Sequence, residues 1–317
     1  MKTALINQNK MKSSLFETIK RDAKKNYSIY IMMIPVLAYY ILFCYKPMYG
    51  LIIAFKEYRP ELGIWGSPWV GLEHFKTFVT SYYFGRLLKN TLWISFTSLV
   101  AGFPAPIILA LLMNELRSER FAKFTQTITY IPHFISLVVI CGMIKTFTSD
   151  TGFISQIIAF FRGTEPETLL NNAANFVPIY VISGIWQEVG WGSIIYLSAL
   201  ASIDPSLYEA AVIDGASRFK RMWHITLPGI APTIIIMFIL RLGQFMSLGY
   251  EKIILLYHPL IYSTSDVISS FVFREGILKT GNWSYTSAIG LFNSVINLVI
   301  IIISNTISQK VSETSLW

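Results

Sequence analysis

Six apolar segments, separated by polar stretches, dominate the hydropathy pattern of this 317-residue chain. A helix needs about 20 mostly apolar residues to cross roughly 30 Å of hydrocarbon, and the segments approach or exceed that length. Several contain prolines, which membrane helices tolerate where neighbouring groups satisfy the freed carbonyls. The pattern therefore predicts an all-α integral membrane protein with six transmembrane helices, at about residues 28–45, 90–114, 124–144, 175–200, 229–248 and 285–308.

Basic residues fall on one side of this predicted arrangement. They cluster in residues 1–27, in the loop between the second and third segments, and in the loop 204–228 between the fourth and fifth. Cytoplasmic loops carry an excess of Lys and Arg. We therefore expect a basic cytoplasmic tail at 1–27, one multi-pass transmembrane domain at 28–308, and a short cytoplasmic C-terminal tail at 309–317. The loops around 58–84, 149–170 and 249–284 are expected outside.

The composition agrees with a membrane protein, since 53% of the residues are hydrophobic and only 14% are charged. Soluble domains carry about 25% charged residues. The net charge of +8 arises largely from the N-terminal tail, without the basic stripe and stacking aromatics typical of nucleic-acid binding. The two cysteines and four histidines lack the spacing of a disulfide framework or a metal site, so we predict no metal.

The loop 204–228 contains the stretch "YEAAVIDGASRFKRMWHITLP", which is too highly charged to cross a bilayer. Asp204-Pro205 is a strong helix start, because Asp accepts free N–H groups and Pro suits the first turn. We predict a helix over 205–217, with Ala211 and Gly215 on a face of small residues that admits close approach. A second helical piece follows, and Pro228 marks the entry to the fifth segment. The residues alone also allow an ordinary amphipathic interface helix.

The spacing of this stretch is E-A-A, three residues, G, nine residues, I-x-L-P. It resembles the EAA motif in the cytoplasmic loop of permease subunits of binding-protein-dependent ABC importers. The matching positions are Glu209, Ala210, Ala211, Gly215, Ile225, Leu227 and Pro228. The segments "CYKPMYGLIIAFKEY", "GSPWVGLEHF", "QTITYIPHFIS" and "SETSLW" are similar to oligosaccharide and polysaccharide permeases of this family.

The resemblance implies the MetI-like fold of type I ABC importers and the import of a sugar by alternating access. In that family the loop helix docks on a separate ATPase, so the matched positions and Asp214 would couple the two subunits. The implied partners are a second homologous permease, two cytoplasmic ATPase subunits, an extracellular sugar-binding protein, the sugar and membrane lipid. The implied location is the bacterial cytoplasmic membrane.

The sequence contains no G-x-x-x-x-G-K-[ST] phosphate loop. We therefore expect a transport subunit rather than an enzyme, with no cofactor in this chain and with ATP and Mg on the partner ATPases. A secondary transporter and a non-transport membrane scaffold are the alternatives. The first would need a carboxylate relay and internal repeats, and the second has no use for a docking loop.

Two charged residues, Glu188 and Arg241, lie near the middle of predicted spans. Intramembrane charges cost about 2.5–3.5 kcal/mol each on insertion scales, so they usually face an interior. They are candidates for the sugar path, together with Gln244 and Trp283. The alternatives are a structural Glu–Arg pair, a snorkelling arginine, and membrane-interface anchoring for the tryptophan.

Overall fold

The computed structural model describes residues 21–279 and 281–312, and their regular structure is helical apart from one isolated bridge between Lys56 and Trp69. Most of the basic tail and the final residues 313–317 lie outside this part of the chain. The longer helices are α1 (Tyr27–Phe55), α2 (Glu73–Val79), α3 (Phe84–Asn114), α4 (Glu119–Phe134), α5 (Leu137–Phe147), α6 (Phe153–Arg162), α7 (Ala173–Ala201), α8 (Pro205–Ile213), α9 (Arg218–Gly243), α10 (Tyr250–Leu256), α11 (Ile268–Phe273) and α12 (Trp283–Ser312). Shorter helical turns connect them, at Gly63–Gly66, Leu169–Asn171, Pro259–Ile261 and Tyr262–Ser265.

The all-helical membrane fold is confirmed, with a helix at each of the six predicted segments. Within the described residues, α1, α3, α9 and α12 are long and apolar enough to cross a membrane. The pair α4 and α5 makes a fifth span if it is counted as one. Helix α7 has 29 residues and a length of about 43 Å at 1.5 Å per residue, but it is less apolar because it carries Gln187, Glu188 and several glycines.

The third predicted span, residues 124–144, is not one continuous helix. Its two halves are bent by 98° at residues 135 and 136. Pro132 lies in the 3-10 turn that ends α4, and Ser136 caps α5 by accepting a hydrogen bond from the Val139 N–H at 3.4 Å. The break therefore has a local cause, a proline turn followed by a new helix cap.

Helix α7 lies at the centre of the fold, where it packs against α3, α4 and α9. Three of its buried side chains, Phe176, Val177 and Val181, join a core with Ile94 of α3 and Ile253 of α10. On another face, a Cβ at Gly190 would overlap the Thr129 carbonyl of α4. The absence of a side chain lets the two helix backbones approach closely, as is common between membrane helices.

The fifth predicted span, residues 229–248, ends earlier than expected, because α9 stops at Gly243. The turn that follows is held by two amide side chains of α12. Asn297 Oδ1 accepts a hydrogen bond from the Met246 N–H at 2.8 Å, and Asn293 Nδ2 donates to the Met246 carbonyl at 3.1 Å. Non-helical backbone at membrane depth needs such internal partners, since lipid offers none.

A buried carboxylate fixes the loop between α10 and α12. Asp266 is fully buried and accepts hydrogen bonds from Arg86 of α3 at 3.1 Å and from Arg274 at 2.8 Å. Asn90 of α3 donates to its backbone carbonyl at 2.9 Å. Two guanidinium groups compensate the buried charge, so this loop is attached to the span α3.

Candidate functional site: the loop helix and the polar cavity

Helix α8 begins as the sequence predicts. Asp204 is its N-cap, and its Oδ1 accepts a hydrogen bond from the Ser206 N–H at 2.9 Å. Hydrogen bonds from the Ser206 backbone and side chain lower the pKa of the Asp204 carboxyl. Pro205 occupies the first turn, where its missing N–H has no cost.

The end of α8 differs from the prediction of a helix over 205–217. The helix stops at Ile213, and Gly215 has a φ of 71°. The Ala216 N–H donates to the Ala211 carbonyl at 2.8 Å and the Gly215 N–H donates to the Val212 carbonyl at 3.0 Å, which is the Schellman pattern of a helix end. The prediction that Gly215 shares a helical face with Ala211 is therefore wrong. Glycine is favoured there because of the left-handed backbone conformation.

Helix α8 presents aliphatic side chains that the described part of the chain does not cover. Ile213 is 86% exposed, and Leu207 and Val212 are exposed on the same short helix. Glu209 and Ala210 are exposed beside them. An exposed apolar surface rimmed by polar residues is typical of a protein contact site. Val212 and Ile213 were not among the residues predicted from the sequence, although both lie inside the matched motif.

Two contacts join the base of α8 to α9. The hydroxyl groups of Tyr208 and Thr226 are 3.0 Å apart, and Thr226 is buried. Ile203, just before α8, packs so closely on Gly229 that a Cβ at Gly229 would lie 2.8 Å from its Cδ1 atom. The loop therefore leaves and re-enters the helical domain at neighbouring points.

The second helical piece of the loop is continuous with the fifth span. Helix α9 starts at Arg218, passes through a π-helical turn at Met222–Thr226 and continues to Gly243. Pro228 thus lies inside α9 rather than at its entry, directly after the wider turn that accommodates its missing N–H. Ile225, Leu227 and Pro228 of the motif belong to α9, whereas Glu209, Ala210 and Ala211 belong to α8.

Glu188 and Arg241 line one cavity of about 450 Å³ between α3, α7 and α9, together with Gln187, Trp191 and Lys252. An adjoining cavity of about 140 Å³ shares Arg241 and Tyr180 with it and includes Gln244. The structure therefore brings together three of the four predicted path residues. Trp283 is elsewhere, where it lines a separate hollow of about 280 Å³ beside Tyr58.

Glu188 is paired with a histidine rather than with Arg241. Its Oε2 atom lies 3.0 Å from Nδ1 of His133, on the turn that ends α4. The His133 ring stacks on Trp191 with ring centroids 4.5 Å apart. No ion pair or side-chain hydrogen bond joins Arg241 to another residue in the described part of the chain. The Glu–Arg pair considered from the sequence is thus absent there.

Lys252 of α10 also lines the cavity and was not predicted from the sequence. Its Nζ atom donates a hydrogen bond to the Tyr180 carbonyl at 3.1 Å and lies 4.9 Å from the centre of the Tyr180 ring. Only 8% of the residue is exposed. Lys252 lies in a loop that was predicted to face outward, so it was not expected in the cavity. A lysine directly before the apolar run "IILL" is nevertheless a sign that the side chain could be buried.

The lining of the two cavities is suited to a polyhydroxylated ligand. Amide, guanidinium and ammonium groups supply hydrogen-bond donors, and Trp191 supplies a flat apolar wall. Binding sites commonly combine apolar or aromatic walls with a few placed polar groups. In the described residues, no group of three or more His, Cys, Asp and Glu side chains is arranged to hold a metal ion.

The family of binding-protein-dependent transport system inner membrane components matches residues 102–313, and this chain belongs to that family. Protein LplB of Bacillus subtilis is 44% identical over 295 residues, which cover 93% of this chain and 92% of LplB. The polygalacturonan/rhamnogalacturonan transport system permease protein YteP of the same organism is 43% identical over 290 residues, covering 91% of this chain and 90% of YteP.

Solved structures agree with these relatives. A chain of a bacterial ABC transporter that imports the acidic polysaccharide alginate matches with a TM-score of 0.85 and 41% identity, covering 93% of this chain and 100% of that chain. An equally similar structure holds the alginate transporter together with a periplasmic protein bound to an alginate pentasaccharide. The chain is a permease subunit of a sugar or polysaccharide ABC importer, as the resemblance of its sequence predicts.

Proposed function

We propose that this chain forms part of the path by which a sugar, an oligo- or polysaccharide, crosses the bacterial cytoplasmic membrane by alternating access. Separate ATPase subunits would drive the change of access through α8. One observation carries the proposal: α8 exposes an aliphatic surface away from the chain, while Tyr208 of the same helix is bonded to α9. Helix α9 also carries Arg241 into the polar cavity.

The coupling step follows from these contacts. An ATPase that holds Leu207, Val212 and Ile213 in a cleft would pull α8 when its nucleotide-bound domains close. The Tyr208–Thr226 hydrogen bond and the Ile203–Gly229 contact would pass that displacement to the base of α9. Glu209 and Asp214 are exposed and acidic, so they suit basic groups on the rim of the cleft. Ala210 and Ala211 let the backbones approach.

The partners of this function are a second homologous permease, two ATPase subunits that bind ATP and Mg, and an extracellular sugar-binding protein. Support for the second permease comes from α1, in which no residue of the first part, 27–48, is buried by the described residues. Support for the binding protein comes from the complex of the similar alginate transporter.

Loops 58–84 and 249–284 would face the binding protein, and both termini would lie in the cytoplasm. The tails 1–27 and 309–317 would flank the single transmembrane domain.

The cavity residues would act on the sugar directly. Glu188, Arg241 and Gln244 would hydrogen-bond its hydroxyl groups inside the domain. Trp283 would act apart from them, at the separate hollow beside Tyr58. Because α9 connects the cavity to the loop, its movement would change the contacts of the sugar and the access to the cavity together.

An experiment that identifies the energy source of uptake distinguishes this proposal from a secondary transporter. The complete importer is reconstituted in proteoliposomes with ATP enclosed and binding protein outside, and sugar uptake is measured. Uptake should stop when the partner ATPase carries a disabled catalytic residue. It should continue when a protonophore dissipates the proton gradient. Uptake that survives loss of ATP hydrolysis and collapses with the ion gradient would overturn the proposal.

A further inference from the structure

The charges around the main cavity do not balance. Arg241 and Lys252 supply two positive charges, and Glu188 is the single carboxylate in the lining. That carboxylate is already engaged, since His133 Nδ1 lies 3.0 Å from its Oε2 atom. The lining therefore carries one more positive charge than negative charge.

Arg241 has unused hydrogen-bonding capacity. Its guanidinium group has five N–H donors in a planar fork that matches a carboxylate in bidentate geometry. In the described residues, no carboxylate or carbonyl takes these donors. Charged side chains within the membrane are costly and are generally paired, so an unpaired guanidinium that faces a cavity indicates an anionic ligand.

Lys252 adds a second cationic group in the same lining. One of its three N–H donors is taken by the Tyr180 carbonyl at 3.1 Å, which fixes the ammonium group beside the cavity. The residue is 8% exposed, so little water screens its charge. An anion that enters the cavity would therefore contact the fixed ammonium group of Lys252 as well as the unpaired guanidinium group of Arg241.

We propose that the cavity selects acidic saccharides, and that Arg241 and Lys252 bind the carboxylate groups of their uronate residues. This inference rests on the proposed function and names its substrate class. The remaining lining fits the rest of such a molecule. Gln187 and Gln244 can exchange hydrogen bonds with ring hydroxyls, and the flat face of Trp191 can pack against a sugar ring.

The experiment measures uptake by the complete importer in proteoliposomes. The probes are tetrasaccharides of galacturonate, mannuronate and guluronate, each with a counterpart in which every carboxyl group is reduced to a hydroxymethyl group. Reduction keeps the linkage and the ring hydroxyls and removes the charge. At least one acidic tetrasaccharide should enter faster than its reduced counterpart by about tenfold or more.

The binding protein also selects substrates, so the second arm changes only this chain. Arg241→Gln and Lys252→Gln each remove one positive charge and keep a hydrogen-bond donor. Each should lower uptake of the acidic tetrasaccharide by about tenfold, as expected for loss of a charge-assisted hydrogen bond. Arg241→Lys keeps the charge but loses the bidentate geometry, so its uptake should lie between those of the unchanged chain and Arg241→Gln. Arg162→Gln, the same chemical change on α6 outside this cavity, is the control and should leave uptake unchanged.

Uptake of the reduced tetrasaccharides at the rate of the acidic ones would overturn the inference, as would acidic uptake that neither charge variant slows. In both cases a sugar still enters, so the proposed function survives. If no saccharide of either kind enters while the ATPase subunits hydrolyse ATP, the proposed function itself fails, and the assignment of a substrate class falls with it.

Discussion

The hydroxyl oxygens of Tyr208 and Thr226 lie 3.0 Å apart, and this hydrogen bond joins the loop helix α8 to the span α9. The two residues are 18 positions apart in the chain, on either side of the turn at Gly215. Because Thr226 is buried, the bond attaches the exposed helix α8 to a point inside the helical domain.

The first prediction concerns this bond. Tyr208→Phe and Thr226→Val each remove one hydroxyl group and keep most of the side-chain volume. Each should lower sugar uptake per ATP hydrolysed several-fold while the ATPase subunits still co-purify. The double variant should resemble either single variant, because both changes remove the same interaction. If the loss of uptake in the double variant equals the sum of the two single losses, the two hydroxyl groups act independently and the bond does not transmit movement.

The second prediction concerns Gly215, whose φ of 71° disfavours side chains with a Cβ. Gly215→Ala should destabilise the end of α8 by about 1–2 kcal/mol, because the left-handed conformation is unfavourable for L-residues. Gly215→Asn should be milder, since asparagine tolerates this conformation. ATPase co-purification should follow the order Gly, Asn, Ala, with Gly215→Trp weakest because its bulk also obstructs docking. Normal co-purification and transport with tryptophan would contradict the docking role of this loop.

The third prediction concerns the exposed aliphatic surface of α8. Ile213→Asp should abolish or strongly reduce ATPase co-purification, because it places a charge in a contact that becomes desolvated on docking. The yield and thermal stability of the chain itself should not change, since Ile213 is 86% exposed. Leu260→Asp is the matched control, because Leu260 is 74% exposed in the loop before α11. Equal loss of ATPase co-purification with both variants would show that the effect is not specific to α8, and would contradict its role as the docking surface.

The fourth prediction concerns the crossing of α7 and α4. Gly190→Ala should destabilise the domain by about 1–3 kcal/mol, because the new Cβ overlaps the Thr129 carbonyl and forces the helices apart. Gly142→Ala on α5 is the control, since a Cβ there meets no atom within 4 Å. The midpoint of thermal unfolding in detergent should fall for the first variant and stay constant for the second. An unchanged midpoint for Gly190→Ala would show that α7 and α4 are not closely packed at Gly190.

Patterns formed by neighbouring residues in the sequence predicted the positions and starts of helices well. The six apolar segments all contain helices, and Asp204-Pro205 starts α8 as its capping chemistry requires. A glycine near a helix end was harder to interpret, because the same residue suits a close helical contact and a left-handed cap. The EAA spacing gave the family and the position of the loop, but it gave no indication that Ile225, Leu227 and Pro228 continue α9.

The contacts of the cavity could not be read in the same way, because they depend on distant parts of the chain. His133 and Glu188 are 55 positions apart, and Lys252 meets Tyr180 across 72 positions. Hydropathy identified Glu188 and Arg241 as unusual residues but could not decide between a mutual pair and separate roles. The break between α4 and α5 sets the position of His133, and only the folded arrangement reveals it.

The two asparagines of α12 that hold the turn after α9 have a mechanical consequence. Asn293 and Asn297 fasten the Met246 backbone, and a Cβ at Gly243 would lie 2.7 Å from the Cδ1 atom of Ile301. Hydrogen bonds just beyond its end and close packing at its last residue attach α9 to α12. In the coupling we propose, a pull on α8 would therefore move α9 and α12 together as one unit rather than α9 alone.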